Sequence, residues 1–282
     1  MRQALKDLDA SYRARAIPAG SARYWSWLFA DRESRAPLLG VYALQAEWTA
    51  LMDPANEASA ARSKLFWWQE EMRRLSAGAP IHPIGVYLKS LPRAAEVDFA
   101  PLEQSVAAAA DEVNGAPLER AADLTPHAHS LRAIPLVVAS RLAGGDFDEP
   151  ALSQCVQALA VAEHLSRLLA DYRRAARAGR VPFAVDELVA AGIDNADLAA
   201  AEPPARLENY LGILRERASL TFELAARALP LGQRRRQRHL LVLAALGHNH
   251  LRQCMTTHGS RGAQNMLLAW STARRANQKI GG

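Results

Sequence analysis

The amino-acid sequence predicts an all-α fold, and three observations carry that expectation. Apolar residues recur at three and four positions through almost the whole chain, the spacing that places them on one face of a helix. Of the 282 residues 50% are apolar and only 6% aromatic, with Ala and Leu dominant, a balance that favours packed helices over strands of β-branched and aromatic side chains. No long alternation of apolar and polar residues bounded by turn residues breaks the pattern.

Turn residues divide the chain into about nine to eleven helices. Pro37 sits near a helix start, and breaks follow at Pro54, Gly78 to Pro80, Pro83, Pro92, Pro101 and Gly115 to Pro117. Later breaks fall at Gly144-Gly145, Pro150, Gly179, Pro203-Pro204 and Gly232. Asp148 with Pro150 reads as the cap and first turn of a long helix running through Cys155 to about Arg177. The Ala-rich piece Val106 to Ala110 reads as plain helix. There is no internal repeat or low-complexity linker, so residues 1–282 are expected to form one large helical bundle, with a minor loop break at 194–207.

Composition excludes several function classes. The formal charge of +5 and pI near 9.5 permit attraction to phosphates or anionic headgroups without specifying either. Cys155 and Cys254 stand far apart and form neither a disulfide framework nor a zinc ribbon, which fits a reducing cytoplasm. No stretch approaches the roughly 20 apolar residues of a membrane span, and MRQALKDLDASYRAR lacks a signal-peptide core, so membrane contact is expected to be peripheral to the inner membrane at most. Phosphate-loop, dinucleotide, serine-hydrolase and zincin motifs do not occur.

Two segments carry the chemistry. The first is YWSWLFADRESRAPLLGVYALQAEWTALMD, Tyr24 to Asp53, with RSKLFWWQEE, Arg62 to Glu71, soon after. The second is AEHLSRLLADYRRAARAGRVPFAVDELVAAGI, Ala162 to Ile193. In order and spacing they resemble the squalene/phytoene synthase family: Val41-Tyr42-Ala43-Leu44 corresponds to the helix leading into the family's first Asp-rich motif. His164 through Asp171, with Gly179-Arg180 through Asp186-Glu187-Leu188, corresponds to the second. The resemblance covers about two thirds of the chain, leaving out Leu91 to Thr125 and the part after Ala205. It implies the isoprenoid synthase fold and head-to-head joining of two prenyl diphosphates, with Mg²⁺ held between two Asp-rich helices. Carboxylates spaced by four share a helix face and suit hard cations that neutralise a diphosphate leaving group.

In this chain both motifs are eroded. The leading Asp pair of the first falls on Thr49 and Ala50, leaving Asp53; the family's upstream Arg is Ala46. In the second, Asp171 remains, but the following acidic pair is Arg174 and Ala175, and the Gln and Asn positions are His164 and Arg167. An Arg in an acidic place opposes Mg²⁺ by several kcal/mol at about 4 Å. Arg167, Arg173, Arg174, Arg177 and Arg180 could instead grip a diphosphate directly, or simply form a solvated basic helix end. Asp53 precedes Pro54, so its carboxylate could equally bond turn amides.

The resemblance thus implies catalytic remnants at Asp53 and Asp171, which would hold Mg²⁺ only in an active enzyme; otherwise no cofactor is expected. It places substrate contacts at Ser21, Tyr24, Tyr42, Glu47, His164, Arg167, Arg174 and Arg180. The run Gln45-x-Glu47, Asp53 and Trp67-Trp68 is similar to a divergent branch of the family that includes the complex I assembly factor. There Tyr42, Leu44, Trp48, Trp67 and Trp68 would line a former prenyl cavity, or pack as ordinary core.

The favoured expectation is a non-catalytic isoprenoid-binding or assembly-factor-like protein, with a prenyl diphosphate or a protein as partner. The alternatives are a transferase with a metal site rebuilt from Glu47, Glu70, Glu71, Glu163, Asp186 or Glu187, and a peripheral membrane scaffold using Asn265 to Ile280. His127-x-His129 and His248-x-His250 each point about 200° apart around a helix and make poor chelating pairs. The basic run Arg234 to His239 lacks interleaved aromatics, and nucleic acid is not expected as a partner.

Overall fold

The computed structural model describes residues 12–147, 149–253 and 261–277. Thirteen α-helices run through them, and no strand occurs among the described residues. In order they are α1 (Ala22–Leu28), α2 (Arg35–Leu51), α3 (Ala58–Ser76), α4 (Pro83–Lys89), α5 (Leu102–Asn114), α6 (Leu124–Ala128) and α7 (Ile134–Leu142). Then follow α8 (Pro150–Arg177), α9 (Val185–Ala190), α10 (Asn195–Ala199), α11 (Ala205–Ala228), α12 (Arg238–Gln253) and α13 (Arg261–Asn277).

The surplus over the predicted number comes from short helices that turn residues alone do not announce. One break lies between α6 and α7, where His129–Ala133 form a π-helical turn. Pro135 cannot donate to the carbonyl of Leu131 and its ring crowds that oxygen, so the helix widens there instead of continuing. The stretch 194–207 is likewise not a plain loop: Asp194 caps α10 in a reciprocal box with Asp197, and α11 begins at Ala205.

Helix α8, of 28 residues, is the axis of the molecule. Pro150 opens it, with Glu149 at the cap; Asp148 lies outside the described residues. Leu152, Val156, Leu159, Leu165 and Leu168 form its buried stripe, and Gly179, in the left-handed region at φ +76°, ends the turn that follows. Arg174 and Arg177 occupy the last turn, where positive charge complements the helix dipole. Around α8 pack α11 and α12, the short helices α6 and α10, and the π turn. Helices α2 to α5 form the other half, with α3 against α5 and α2 against α4 and α7.

One buried cluster joins both halves, and a smaller one, Val242, Leu246, Ala269 and Ala273, lies between α12 and α13. Tyr42, Leu44 and Trp48 are at most 1% exposed within the larger cluster. Trp48 meets Trp68 edge to face at 6.2 Å, and Trp68 lies 4.6 Å from the His82 ring, so these aromatics bind α2, α3 and the start of α4 together. Cys155 is buried and free, its thiol pushed up to about 12 by burial; Cys254 lies outside the described residues.

Candidate functional site

A cavity of about 450 Å³ opens between the C-terminal ends of α2 and α5, helix α6, the second half of α8 and the segment after it. That volume falls within the roughly 300–1,000 Å³ of small-ligand sites. Its wall on α8 is set by helical spacing: His164, Arg167, Leu168, Asp171, Arg174 and Ala175 follow one another at three and four positions and so share a face. Opposite, α2 ends at Leu51, just ahead of Asp53 and Pro54, and α5 is capped by Gly115, whose φ of +70° turns the chain back toward Arg180.

Four carboxylates and three guanidiniums line this space. Arg174 donates to Asp53 Oδ2 at 2.8 Å and to Asp171 Oδ1 at 3.2 Å, bridging the two. Asp53 also accepts from the Ala55 amide at 2.9 Å. That amide is the largest influence; burial opposes it, and the charge and hydrogen bond of Arg174 add to it, so the carboxyl is held below the ordinary value. Arg180 donates to the Met52 carbonyl at 3.1 Å, closing the end of α2. Arg167 donates to Glu112 Oε1 at 2.6 Å, while its Nε is buried with no partner.

Deeper in, His127 Nε2 lies 3.0 Å from Glu112 Oε1, and the His127 and His164 rings meet edge to face at 5.2 Å. Burial works to raise the Glu112 carboxyl, but the His127 hydrogen bond and the Arg167 charge outweigh it and leave Glu112 well below the usual carboxylate range. Burial, reinforced by Arg167, drives the His164 imidazole well below its ordinary value, so that ring is neutral. Burial also lowers nearby Arg132 to about 10, Arg167 adding to the effect.

Of the positions named from sequence, the cavity gathers Asp53, His164, Arg167, Asp171, Arg174 and Arg180. The other four lie elsewhere. Ser21 is the N-cap of α1, accepting from the Tyr24 amide at 3.0 Å. Tyr24 packs edge to face on Trp25 at 4.9 Å. Tyr42 is buried with its hydroxyl 3.0 Å from Ser26 Oγ, burial pushing its ionisation up. Glu47 pairs with Arg15 at 3.0 Å and opens on a neighbouring groove with Lys64, Trp67 and Trp68.

Four of the five remaining alternative carboxylates, all but Glu163, are occupied as well. Glu70 pairs with Arg73; Glu71 accepts from the Ile81 and His82 amides; Asp186 accepts from the Ala121 amide; and Glu187 meets Arg217 and Tyr210. Sequence reasoning missed Asp111 and Glu112, and dismissed His127 together with His129. Indeed His129 turns away to Gln157, and His127 finds its neighbours 15 and more residues distant.

The squalene/phytoene synthase family profile matches residues 18–265. Phytoene synthase 1, chloroplastic, of Arabidopsis thaliana is 22% identical over 210 residues, covering 73% of this chain and 50% of the relative, so the chain spans about half the length of that protein. A dehydrosqualene synthase crystallised in complex with ligand superposes with a TM-score of 0.74 at 13% identity, covering 97% of this chain and 98% of the other. The squalene synthase HpnC from Alicyclobacillus acidocaldarius superposes with a TM-score of 0.71 at 19% identity, covering 90% and 95%. These structures share the fold. The profile match spans most of the sequence, and the chain belongs to the squalene/phytoene synthase family.

Proposed function

We propose that the protein binds the diphosphate head of an isoprenoid in this cavity through Arg167, Arg174 and Arg180, without Mg²⁺ and without condensing two substrates. The Arg174 bridge between Asp53 and Asp171 carries the reading: a guanidinium stands between the two carboxylates that the resemblance assigns to metal. Mg²⁺ fits poorly there. It demands near-octahedral oxygen ligation, and both aspartates already serve a cation with its own fixed charge. The unpartnered Arg167 Nε offers a buried donor to an anion, and Leu118, Leu168 and Val181 give the cavity apolar wall for a prenyl chain.

Calorimetry with farnesyl diphosphate, in Mg²⁺ and in excess chelator, tests this. Equal affinity in both, weakened by Arg174→Ala and by Arg180→Ala, is expected; binding that requires Mg²⁺ would contradict it. A second reading, a head-to-head transferase with a rebuilt site, draws on Asp111 and Glu112 facing the same space as Asp171. It requires diphosphate release and a squalene- or phytoene-sized product from farnesyl or geranylgeranyl diphosphate, lost in Asp53→Ala and Asp171→Ala. The membrane-scaffold reading draws on α13, where Met266, Leu267 and Trp270 stand exposed beside Arg274 and Arg275; Lys279 lies outside the described residues. Liposome flotation with and without the segment after His258 tests that reading. Among the described residues no helix is long and apolar enough to cross a membrane.

A further inference from the structure

At the inner end of the cavity, three donors from three different helices converge. Glu112 comes from the last turn of α5, His127 from α6 and His164 from α8, and one ligand atom from each lies within 4.8 Å of the others. All three residues also line the cavity, so a cation held by them would face its open space. We propose that Glu112, His127 and His164 form a binding site for one divalent cation of the zinc class, distinct from the Asp53–Asp171 pair. The site is read on the protein alone, and does not depend on any isoprenoid being bound.

Geometry favours the assignment. With metal–ligand bonds of about 2.0–2.1 Å, the ligand atoms of a tetrahedral centre stand about 3.4 Å apart. Glu112 Oε1 and His127 Nε2 are at 3.0 Å already, so the His164 nitrogen need close by little more than an ångström. His164 is 1% exposed and its Nδ1 has no hydrogen-bond partner, so the buried ring has an unbonded nitrogen. Two imidazoles and one carboxylate select zinc or cobalt over magnesium, which prefers oxygen alone. Three protein ligands leave a fourth position toward the cavity, the arrangement that keeps a place for water or an anionic ligand.

Arg167 opposes the cation by charge, yet it also holds the Glu112 carboxylate at 2.6 Å. Both described bonds to Glu112 fall on Oε1, so a cation taken by that oxygen replaces the proton shared between Oε1 and His127 Nε2, while Arg167 keeps the carboxylate oriented. Arg167 therefore acts as a brake on affinity, and its removal is diagnostic because it leaves the three donors in place.

The experiment titrates the full chain, freed of any histidine tag, with Co²⁺ by visible absorption and with Zn²⁺ by calorimetry, no lipid being present. One equivalent per chain and a tetrahedral cobalt spectrum are expected. Glu112→Gln and His127→Gln should each weaken binding by at least about tenfold. Arg167→Gln should tighten it. Absence of one-to-one binding would overturn the proposal, as would unchanged affinity in Glu112→Gln or His127→Gln. Arg167→Gln reports even where the ligand variants fold poorly: unchanged or weaker binding in it also counts against the site. Farnesyl diphosphate binding measured separately in chelator keeps failure here distinct from failure of the isoprenoid reading.

Discussion

Asp53 and Arg174 are separated by 121 residues, yet Arg174 Nη1 donates to Asp53 Oδ2 at 2.8 Å across the mouth of the cavity. The two side chains are 39% and 52% exposed, so the pair lies where water screens it and contributes about 1 kcal/mol or less to stability. Its worth to a bound diphosphate is larger, since a charge-assisted hydrogen bond contributes about 1.5–3 kcal/mol. Arg174→Ala should therefore leave the melting temperature within a few degrees of wild type while weakening farnesyl diphosphate by about ten- to a hundredfold. Thermal melts and calorimetry on one preparation separate the two effects, and a large fall in melting temperature would contradict this division.

Glu71 is fully buried and accepts from the Ile81 amide at 2.9 Å, the His82 amide at 2.7 Å and Arg74 Nε at 2.9 Å. It stitches α3 to the turn before α4. Glu71→Ala leaves two amides and a guanidinium without their acceptor and should cost about 3–5 kcal/mol. Glu71→Gln keeps one acceptor oxygen and should cost markedly less. Urea unfolding of both variants checks the order; equal losses would mean that packing, not acceptance, decides.

Gly247 marks the close approach of α12 to α11. A Cβ there would overlap the Phe222 ring, which is 2% exposed and hemmed in by the core. Because the ring cannot swing clear, Gly247→Ala should destabilise the fold by about 1–3 kcal/mol despite its better helix propensity. Pairing it with Phe222→Leu should recover part of that loss relative to additivity, which a double-mutant cycle in urea measures.

His239 gives the fold an acid-sensitive point. The ring is fully buried with neither nitrogen bonded, and burial lowers its pKa from 6.5 to about 3. Below 6.5 the unfolded chain binds a proton that the folded chain refuses, so the contribution of the neutral ring is complete above that value. It is lost as pH falls toward 3, at up to about 1.4 kcal/mol per pH unit. His239→Phe should remove this slope. Urea midpoints at about pH 7.5 and about pH 4.5 should converge in the variant more than in wild type; parallel losses would point to other groups.

How far the sequence carried is clearest on α8. Its start at Pro150, its end at Arg177 and the shared face of His164, Arg167, Asp171 and Arg174 all follow from local rules of helix capping and period. The cavity's second wall does not, because Glu112, His127 and His164 meet only after α5, α6 and α8 pack, and no local spacing encodes that meeting. The π turn escaped notice for a related reason. Pro135 follows an unbroken apolar pattern, and whether such a proline ends or widens a helix depends on its neighbours. Tyr42 and Trp48, read either as cavity lining or as core, are buried at 1% exposure, Trp48 against Trp68.

The Arg174 bridge has a consequence for how this site responds to its surroundings. A bound metal ion is present in proportion to its concentration and can depart with the anion it neutralises. A guanidinium tethered to α8 is present once per chain under every condition, indifferent to chelators and to swings in divalent cation supply. It also cannot leave with a product. Under the proposed function, the grip of Arg174 on an anionic head group would owe nothing to a divalent cation at the Asp53–Asp171 pair.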